Sequence, residues 1–297
     1  MKFFHFLVAV VAGSLLLIPV SHANSNEQNV INWAGCGITK KAFMQELAIA
    51  YEKRTGTKIN LAGGGATAGI RKAAAGEIDI GGACRTSLVN DAKESDAHQI
   101  PVAWDALVVI VNKNNPVDNI SFHQLQQLYL GKITNWKQLG GNDAPLDLYI
   151  RRGKMSGVGR TLRELVFHNY DQDFRAKYVV KSSGPVEKGV LKNVNGIGVT
   201  GISSAKRRDV KILKLNSKAP SYDNIKTGNY VLYRPLYLVT KLGQRNSKGR
   251  DFIRFAVSHE GQQIIRSQGT VPYTEAMALV MKQLDQYESA LEQGLNR

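Results

Sequence analysis

The sequence lacks the features by which catalytic and metal-binding proteins are most easily recognised. Its 297 residues contain only two cysteines, Cys36 and Cys84, and these do not form a CxxC pair. The six histidines show no metal-ligand spacing with one another or with either cysteine. No Ser/His/Asp order with supporting turn motifs occurs, and no two carboxylates stand at positions suited to acid–base chemistry. We therefore expect no metal site, no catalytic residues and no cofactor.

Long hydrophobic runs are also missing after the N-terminus. Lys2, an apolar run from Phe6 to Pro19 and the small residues of Ser21-His22-Ala23 form the pattern of a secretory signal that is cleaved after Ala23. A single anchoring helix is the alternative, but the run is too short to span a bilayer comfortably. No cysteine that could carry a lipid follows directly. The sequence thus predicts a signal peptide over residues 1–23 and a soluble exported protein, periplasmic or secreted.

Acidic residues are scarce relative to basic ones. The chain has 39 Lys and Arg against 24 Asp and Glu, which gives a formal net charge of +15. This balance favours an anionic partner, which could be a small anion, a membrane surface or a polyanion. The basic residues are scattered, and the arginine-rich tracts and aromatic–basic interleaving of nucleic-acid binders are absent. Nucleic acid is therefore not an expected partner.

Glycine marks the turns of the first third of the chain, most clearly in GGGATAGIRKAAAGEIDIGGACR, residues 63–85. The pattern predicts strands at Val30–Trp33, Lys58–Leu61 and Ile78–Ile80, with helices at Lys41–Thr55 and Ala68–Ala75 between them. This alternation predicts a parallel sheet, whose ligands bind at the carboxyl ends of the strands. The glycine turns lie at those ends, where helix N-termini attract negative charge. The dinucleotide-binding fingerprint is not met, and we expect an anion site.

A second αβ region follows, with a cluster of cations in its central turn. Leu146–Ile150 is predicted as a strand, Arg151–Gly157 as a polar turn with three basic residues, and Val158–His168 as a helix. Further predicted strands are Trp104–Asn112, Gly196–Thr200 and Tyr230–Thr240, and further predicted helices are Ser121–Leu130, Arg250–Ser267 and a polar one within Tyr273–Leu295. The chain is thus predicted to form two α/β lobes.

Three stretches resemble a known family. They are LYLGKITNWKQLGG at Leu128–Gly141, RPLYL at Arg234–Leu238 and SHEGQ at Ser258–Gln262. With them, the chain from Asn32 to Pro272 resembles the phosphate-binding periplasmic proteins of ATP-binding-cassette importers, in the type II periplasmic-binding-protein superfamily. The resemblance implies two lobes, each a mostly parallel sheet flanked by helices, joined by two hinge crossings. It places lobe 1 in residues 24–112 and 231–297, and lobe 2 in residues 113–230.

The resemblance also implies ligand-binding positions in the turns that follow the strands. In chain order these are Thr39, Lys40, Ala66, Thr67, Cys84, Arg85, Arg152, Ser156, Gly157 and Val158. Arg152 would bind the oxyanion through its planar fork of donors. Ala66, Cys84 and Val158 stand where the family has hydrogen-bonding side chains, and each lost bond weakens binding by about 0.5–1.5 kcal/mol. The preference for a protonated anion over sulfate is therefore open.

The two cysteines lie at the ends of strands that the resemblance makes neighbours. A structural disulfide between Cys36 and Cys84 at the rim of the site is the implied arrangement. Two buried free thiols are one alternative, and a reactive thiol site is another. The sequence does not give the spacing that a disulfide requires.

The resemblance implies a non-enzymatic solute-binding protein. It would be a monomer that captures an inorganic oxyanion, with phosphate as the first candidate, for the permease of an importer or for a sensor. The departures leave open a diverged member whose cleft takes another anion, or a protein or polyanion in an adhesion role. An exported thiol enzyme that uses Cys36 or Cys84 is the alternative from a different class.

A thiol titration of the native exported protein distinguishes a disulfide between Cys36 and Cys84 from a thiol enzyme that uses one of these cysteines. The disulfide predicts no reactive thiol, whereas a thiol enzyme predicts two. Titration of the denatured, unreduced protein is the control, because buried free thiols become reactive when the chain unfolds. Two thiols that appear only on denaturation would contradict both readings.

Overall fold

Ten of the strands in the described part of the chain form one continuous curled sheet. The computed structural model describes residues 29–88, 90–244 and 247–292, so the predicted signal peptide lies outside the described residues. The strand order across this sheet is β2 (Lys58–Ala62), β1 (Val30–Gly35), β3 (Ile80–Ala83), β11 (Tyr233–Lys241), β4 (Ala97–Asn112), β8 (Gly196–Gly201), β6 (Asp147–Arg151) and β7 (Tyr178–Val180). Two further strands, β9 (Val210–Ile212) and β12 (Val271–Pro272), also pair with β4. β1, β2 and β3 are parallel in one half, and β6, β7 and β8 are parallel in the other. This is the expected two-lobed α/β fold.

The first lobe comes from both ends of the described chain. Its N-terminal elements are β1 (Val30–Gly35), α1 (Gly37–Thr39), a π-helical turn (Lys40–Met44), α2 (Gln45–Thr55), β2 (Lys58–Ala62), α3 (Gly65–Ala75) and β3 (Ile80–Ala83). Its C-terminal elements are β11 (Tyr233–Lys241), α9 (Ser247–Val257), α10 (His259–Ser267), β12 (Val271–Pro272), a 3₁₀ turn (Tyr273–Ala276) and α11 (Ala278–Glu292).

The second lobe is formed by the middle of the chain. Its elements are β5 (Asn119–Ile120), α4 (Phe122–Tyr129), a 3₁₀ turn (Trp136–Leu139), β6 (Asp147–Arg151), α5 (Gly157–Leu162), a π-helical turn (Arg163–Phe167), β7 (Tyr178–Val180), α6 (Ser183–Lys192), β8 (Gly196–Gly201), α7 (Ile202–Ala205), β9 (Val210–Ile212), β10 (Lys214–Leu215) and α8 (Tyr222–Lys226). β5 and β10 form a separate two-stranded sheet.

The long strand β4 (Ala97–Asn112) belongs to both lobes. Its first part, up to Ala106, pairs with β11, and its second part, from Leu107, pairs with β8 and β9. Every residue of β4 from Val102 onward is buried, as expected for a strand covered on both faces. The cleft between the lobes therefore opens beside the centre of a shared sheet. No helix in the described part of the chain is both long and apolar enough to cross a bilayer.

The structure differs from the sequence predictions at several places. The third strand was predicted at Ile78–Ile80, but β3 is Ile80–Ala83, so Gly81 and Gly82, expected in the turn after the strand, lie within it. β4 begins at Ala97 and not at Trp104. The single helix predicted for Arg250–Ser267 is two helices, because Ser258 interrupts it and its Oγ accepts the N–H of Gly261 to begin α10. The short strands β5, β7, β9, β10 and β12 and the helices α6, α7 and α8 were not predicted. β7 has only three residues, too few to show a reliable alternation of apolar and polar residues.

The start of the first lobe depends on close packing of a glycine against an aromatic ring. Trp33 in β1 is 1% exposed, and its indole lies over the backbone of Gly82 in β3. A Cβ atom on Gly82 would lie 2.2 Å from Cζ2 of Trp33. Large buried rings have little freedom to move in a close-packed core. The sheet therefore needs glycine at this position.

The substitution Gly82→Ala is expected to lower the free energy of unfolding by about 1–3 kcal/mol or more, because the added methyl overlaps the Trp33 ring. Urea denaturation of both proteins measures the difference. Gly63→Ala is the control, since a Cβ there has no atom within 4 Å. Equal stability of Gly82→Ala and the unsubstituted protein would contradict this description of the packing.

Candidate functional site

A cavity of about 440 Å³ lies between the two lobes. It is at the carboxyl ends of β1, β2, β6 and β7, where open α/β sheets bind their ligands. The first lobe contributes Gly35, Cys36, Gly37, Ile38, Lys41, Gly63, Gly64 and Gly65, and the second contributes Arg151, Lys181, Ser182, Ser183, Gly184 and Ser204. The lining consists of glycine turns, helix starts, hydroxyls and three basic side chains.

Two long helices begin at this cavity without a side-chain cap. Neither Gly64, before α3, nor Ser182, before α6, provides a side-chain oxygen to the first turn of its helix. In contrast, α4, α5, α8 and α10 each begin at a serine whose Oγ accepts a backbone N–H of the first turn. The free N–H groups and positive dipole ends of α3 and α6 are thus left for a negatively charged group.

The glycine turn before α3 has a backbone that other residues would not adopt easily. Gly64 and Gly65 have φ values of 142° and 84°, in the region that favours glycine. The side chain of Arg151, from the opposite lobe, lies against this turn, with Nη2 3.9 Å from the position of a Cβ on Gly65. The arginine side chain thus comes within van der Waals reach of the turn that begins α3.

Arg151 is the least compensated of the three cations in the lining. Its Nε is buried and has no hydrogen-bond partner among the described residues. Lys41 instead donates to Oγ of Ser204 at 2.7 Å, and its Nζ is 3.7 Å from the buried carboxylate of Glu187. Burial lowers the pKa of Lys41, and Glu187 opposes this shift. Lys181 is exposed at the mouth of the cavity and forms no ion pair within the described ranges.

A second cavity, of about 550 Å³, lies under α11 and differs in chemistry. Its lining contains the carboxylates of Glu164 and Asp285 with apolar groups such as Leu165 and Val231, and no lysine or arginine. An anion would be repelled there. The cavity between the lobes is therefore the better candidate for the site that the sequence predicts.

None of the ten family-matched residues, all of which the structure describes, contributes to the lining of the interlobe cavity. Thr39 is buried and its Oγ1 donates to the carbonyl of Ala83 at 3.1 Å, while Nζ of Lys40 donates to the carbonyl of Leu61 at 3.0 Å. Oγ of Ser156 accepts the N–H of Gly159 and so caps α5. These side chains hold the turns in place around the cavity.

Two of the family-matched residues hold the lobes together. Nε of Arg85 donates to the carbonyl of Met155 in the other lobe at 3.1 Å, and Oγ1 of Thr67 donates to the same oxygen at 3.2 Å. Arg85 also forms a fully buried ion pair with Glu94, in which Nη2 and Oε1 are 2.7 Å apart. The two residues thus form a contact between the lobes.

The three positions that lack the family's polar side chains are packed tightly. Ala66, Cys84 and Val158 are all buried. A Cβ on Gly157 would lie 2.3 Å from Sγ of Cys84 and 3.3 Å from Cβ of Ala66, so only glycine fits between them. Small apolar groups close the space between the start of α5 and the first lobe.

The adjacent arginines at the end of β6 have different surroundings. The family spacing selects Arg152, but its side chain is exposed, and only its backbone N–H is held, by the carbonyl of Val180 at 2.7 Å. Arg151 enters the cavity because successive residues of a strand point to opposite faces. The ligand role of Arg152 remains a prediction, and Arg151 is the arginine that the geometry offers.

The sequence reasoning missed the second lobe's other contributions to the lining. Lys181 and Ser182 lie between β7 and α6, Ser183 and Gly184 are the first residues of α6, and Ser204 lies in α7. The signal was present, since a Ser-Ser-Gly-Pro sequence before an apolar periodic stretch is typical of the start of a helix. Recognition of α6 would have added the start of a further helix to the predicted site.

The two cysteines lie side by side, as the resemblance implies. Both are buried free thiols in the structure, and their Sγ atoms are 2.7 Å apart. The hydrogen bond from Cys84, with smaller contributions from Arg234 and the N–H groups of Ile38 and Thr39, lowers the pKa of Cys36 to about 6. The same bond and burial raise the pKa of Cys84. The predicted disulfide remains a prediction.

A buried arginine connects the turns around the site. Nη1 of Arg234, in β11, donates to the carbonyls of Cys84 at 3.1 Å and of Gly157 at 3.2 Å. Its Nη2 is 3.3 Å from Oδ2 of Asp105 in β4, and both side chains are almost fully buried. Asp105 in turn accepts the hydroxyl of Ser203 at 2.7 Å. One guanidinium group therefore contacts β3, β4 and the start of α5.

Comparison with known proteins identifies relatives over most of the chain. A family model of the PBP superfamily domain matches residues 29–260. The phosphate-binding protein PstS of Borreliella burgdorferi is 28% identical over 256 residues, which cover 83% of this chain and 91% of that protein. The PstS of Bacillus subtilis is 27% identical over 248 residues, which cover 80% of each chain.

Solved structures give the same result. A Clostridium perfringens substrate-binding protein assigned to a phosphate ABC transporter, with phosphate bound, is 29% identical with a TM-score of 0.73. An ABC-type phosphate transport receptor from Vibrio cholerae is 28% identical with a TM-score of 0.63. Each comparison covers 82% of this chain and 99% of the other.

The substitution Arg234→Ala is expected to lower the free energy of unfolding by about 3–5 kcal/mol, because it leaves Asp105 buried without its cation. Chemical denaturation followed by circular dichroism measures the loss. Arg254→Ala is the control, since Arg254 and its partner Asp251 are exposed and such pairs contribute about 0–1 kcal/mol. Similar losses in the two variants would contradict the role given to Arg234.

Proposed function

The chain belongs to the PBP superfamily, and on this basis we propose that it is an exported binding protein that captures inorganic phosphate between its two lobes. It hands the anion to the permease of an ABC importer or to a sensor, and it acts as a monomer without catalysing a reaction. The relatives named as phosphate-binding proteins support the choice of ligand. The signal pattern of residues 1–23 supports export.

The observation that carries this proposal is the convergence of positive groups on one cavity. Arg151, Lys41 and Lys181 supply three basic side chains, and α3 and α6 supply uncapped N-termini. An arginine offers two parallel donors to a tetrahedral oxyanion. Backbone N–H groups at a helix start add donors that no side-chain substitution removes. Phosphate carries enough acceptor oxygens to use donors from both lobes together.

Binding and lobe closure are coupled because neither lobe holds a complete site. The first lobe provides Lys41 and the start of α3, and the second provides Arg151, Lys181 and the start of α6. An anion bound between them adds contacts that exist only when the lobes approach. At the rim, Thr67 and Arg85 of the first lobe donate to the Met155 carbonyl of the second, and these hydrogen bonds also keep the two lobes close together. A permease or sensor can then distinguish the closed form from the open one.

An organic phosphate is a second candidate ligand, because the cavity is large. A cavity needs roughly 10–15 Å³ to hold one water, so the five heavy atoms of phosphate need on the order of 75 Å³. The interlobe cavity measures about 440 Å³, which is several times larger. Small-molecule sites commonly measure about 300–1,000 Å³. The hydroxyls of Ser182, Ser183 and Ser204 could bind a polar substituent on the phosphate.

Arg151→Ala is expected to weaken phosphate binding by about ten- to a hundredfold, since hydrogen bonds to charged groups contribute about 1.5–3 kcal/mol. Arg152→Ala is the matched control, with the same change one residue away on the exposed face. Isothermal titration calorimetry of the ligand-stripped proteins gives both affinities, with sulfate and glycerol phosphate as competing ligands.

Loss of binding in Arg152→Ala alone would show that the family spacing, and not the observed cavity, identifies the ligand-binding arginine. Tighter binding of glycerol phosphate than of phosphate would favour the second candidate. Failure of every anion to bind the unsubstituted protein would contradict the proposed function.

A further inference from the structure

We propose that Cys36 and Cys84 form a redox-active dithiol in the wall of the anion cavity, and that oxidation of this pair to a disulfide strengthens anion binding. The inference rests on the proposed function, because it assumes that an anion binds in the interlobe cavity. It concerns a property that anion capture does not itself require, namely that the affinity depends on the oxidation state of two thiols.

The geometry suits a reversible disulfide. The two Sγ atoms are 2.7 Å apart at the ends of the neighbouring parallel strands β1 and β3. A disulfide has an S–S length of about 2.05 Å, so the sulfurs need to approach by less than about 1 Å. Cys36 lines the cavity, whereas Cys84 is enclosed between Cys36 and Gly157 of the other lobe. Cys36 is therefore the cysteine that borders the cleft, and Cys84 lies behind it.

The surroundings of Cys36 favour its thiolate. Its sulfur stands before the first residue of α1, and this helix continues through a π-helical turn into α2. Positive charge near the pair comes from the buried Arg234 and from Arg151. The other charged groups around it are Asp105, which is paired with Arg234, Lys41 with its partner Glu187, and Lys181 at the mouth. Cations thus outnumber carboxylates around the sulfur.

The oxidation is an ordinary thiol–disulfide exchange with a low-molecular-weight disulfide. The Cys36 thiolate attacks one sulfur of the reagent, the reagent's S–S bond breaks, and its first half leaves as a thiolate. Cys84 then loses its proton and attacks Cys36 in the mixed disulfide, and the second half leaves. The protein loses two electrons, the reagent gains them, and the negative charge of Cys36 disappears.

This loss of charge connects the pair to the anion. In the reduced protein the Cys36 thiolate stands in the wall of a cavity that binds a negative ligand, and the two charges repel. In the disulfide the wall is neutral at this point. One unit charge at roughly 10 Å in a medium of effective dielectric constant about 20 changes binding on the order of tenfold. The disulfide form is therefore expected to bind phosphate about tenfold more tightly at pH 7.5.

The pH dependence of the phosphate affinity distinguishes an effect of the thiolate charge from an effect of the disulfide on the shape of the cavity. Since the pKa of Cys36 is lowered to about 6, its thiolate is mostly absent at pH 5 and mostly present at pH 7.5. The ratio of oxidised to reduced affinities is expected to rise from near one to about ten over this interval. Comparison of the two forms at each pH cancels the ionisation of phosphate itself. Cys36→Ser, kept reduced, is expected to bind like the disulfide form at both pH values.

The experiment is calorimetry with inorganic phosphate on the full protein, fully reduced and fully oxidised with glutathione disulfide, with the oxidation state checked by mass spectrometry. A second measurement is the reduction potential of the pair. Tenfold tighter binding to the disulfide makes saturating phosphate lower this potential by about 30 mV. Cys84→Ser controls for loss of the partner thiol while keeping Cys36.

Equal affinities of the two forms for phosphate would overturn the inference and leave the proposed function intact. Failure of glutathione disulfide to form the internal bond would also overturn it. Failure of both forms to bind any anion would instead count against the proposed function. Tighter binding of the reduced form would show that the disulfide distorts the cavity, which is the opposite of the proposal.

Discussion

The buried guanidinium group of Arg234 is the interaction on which the arrangement of the site depends. It stands in β11, which returns to the first lobe, and it binds the carbonyls of Cys84 and Gly157, one from each lobe. An unpaired cation at this depth would be strongly unfavourable, and the carboxylate of Asp105 supplies the compensating charge. The turn after β3 and the start of α5 are thus fixed relative to each other by one side chain, and the cavity takes its shape beside that contact.

In the proposed site, the groups offered to an anion are mainly backbone N–H groups and cations that the protein itself leaves poorly compensated. The first turns of α3 and α6 lack side-chain caps, whereas α4, α5, α8 and α10 are each capped by a serine. Arg151 has a buried Nε without a partner. Each of these features disfavours the isolated fold, and each becomes favourable when a negative ligand is present. On the proposed function, the same groups stabilise ligand binding and lobe closure.

The chain keeps the fold of its family but differs in the groups around the matched ligand positions. Gly157 contacts Cys84 and Ala66 where a hydroxyl group would otherwise be expected. Apolar groups of the two lobes are therefore in contact at the matched ligand positions. The cations Lys41, Arg151 and Lys181 line the interlobe cavity beside this contact. Identity of about 28% to the PstS relatives is enough to determine the architecture, but it does not determine which of two adjacent arginines faces the ligand.

The alternation of strands and helices and the glycine turn at Gly63–Gly65 are predictable from the sequence, because they follow from local periodicity and from backbone freedom. The positive charge of the chain favours an anionic partner. The sequence did not show α6, since β7 before it is too short to give a clear pattern. It selected Arg152 by spacing, while the pleat of β6 turns Arg151 into the cavity. The contact of Cys36 with Cys84 and the position of Arg234 between the lobes depend on residues far apart in the chain. Only the tertiary structure could decide these, because they result from how β1, β3 and β11 meet in one sheet.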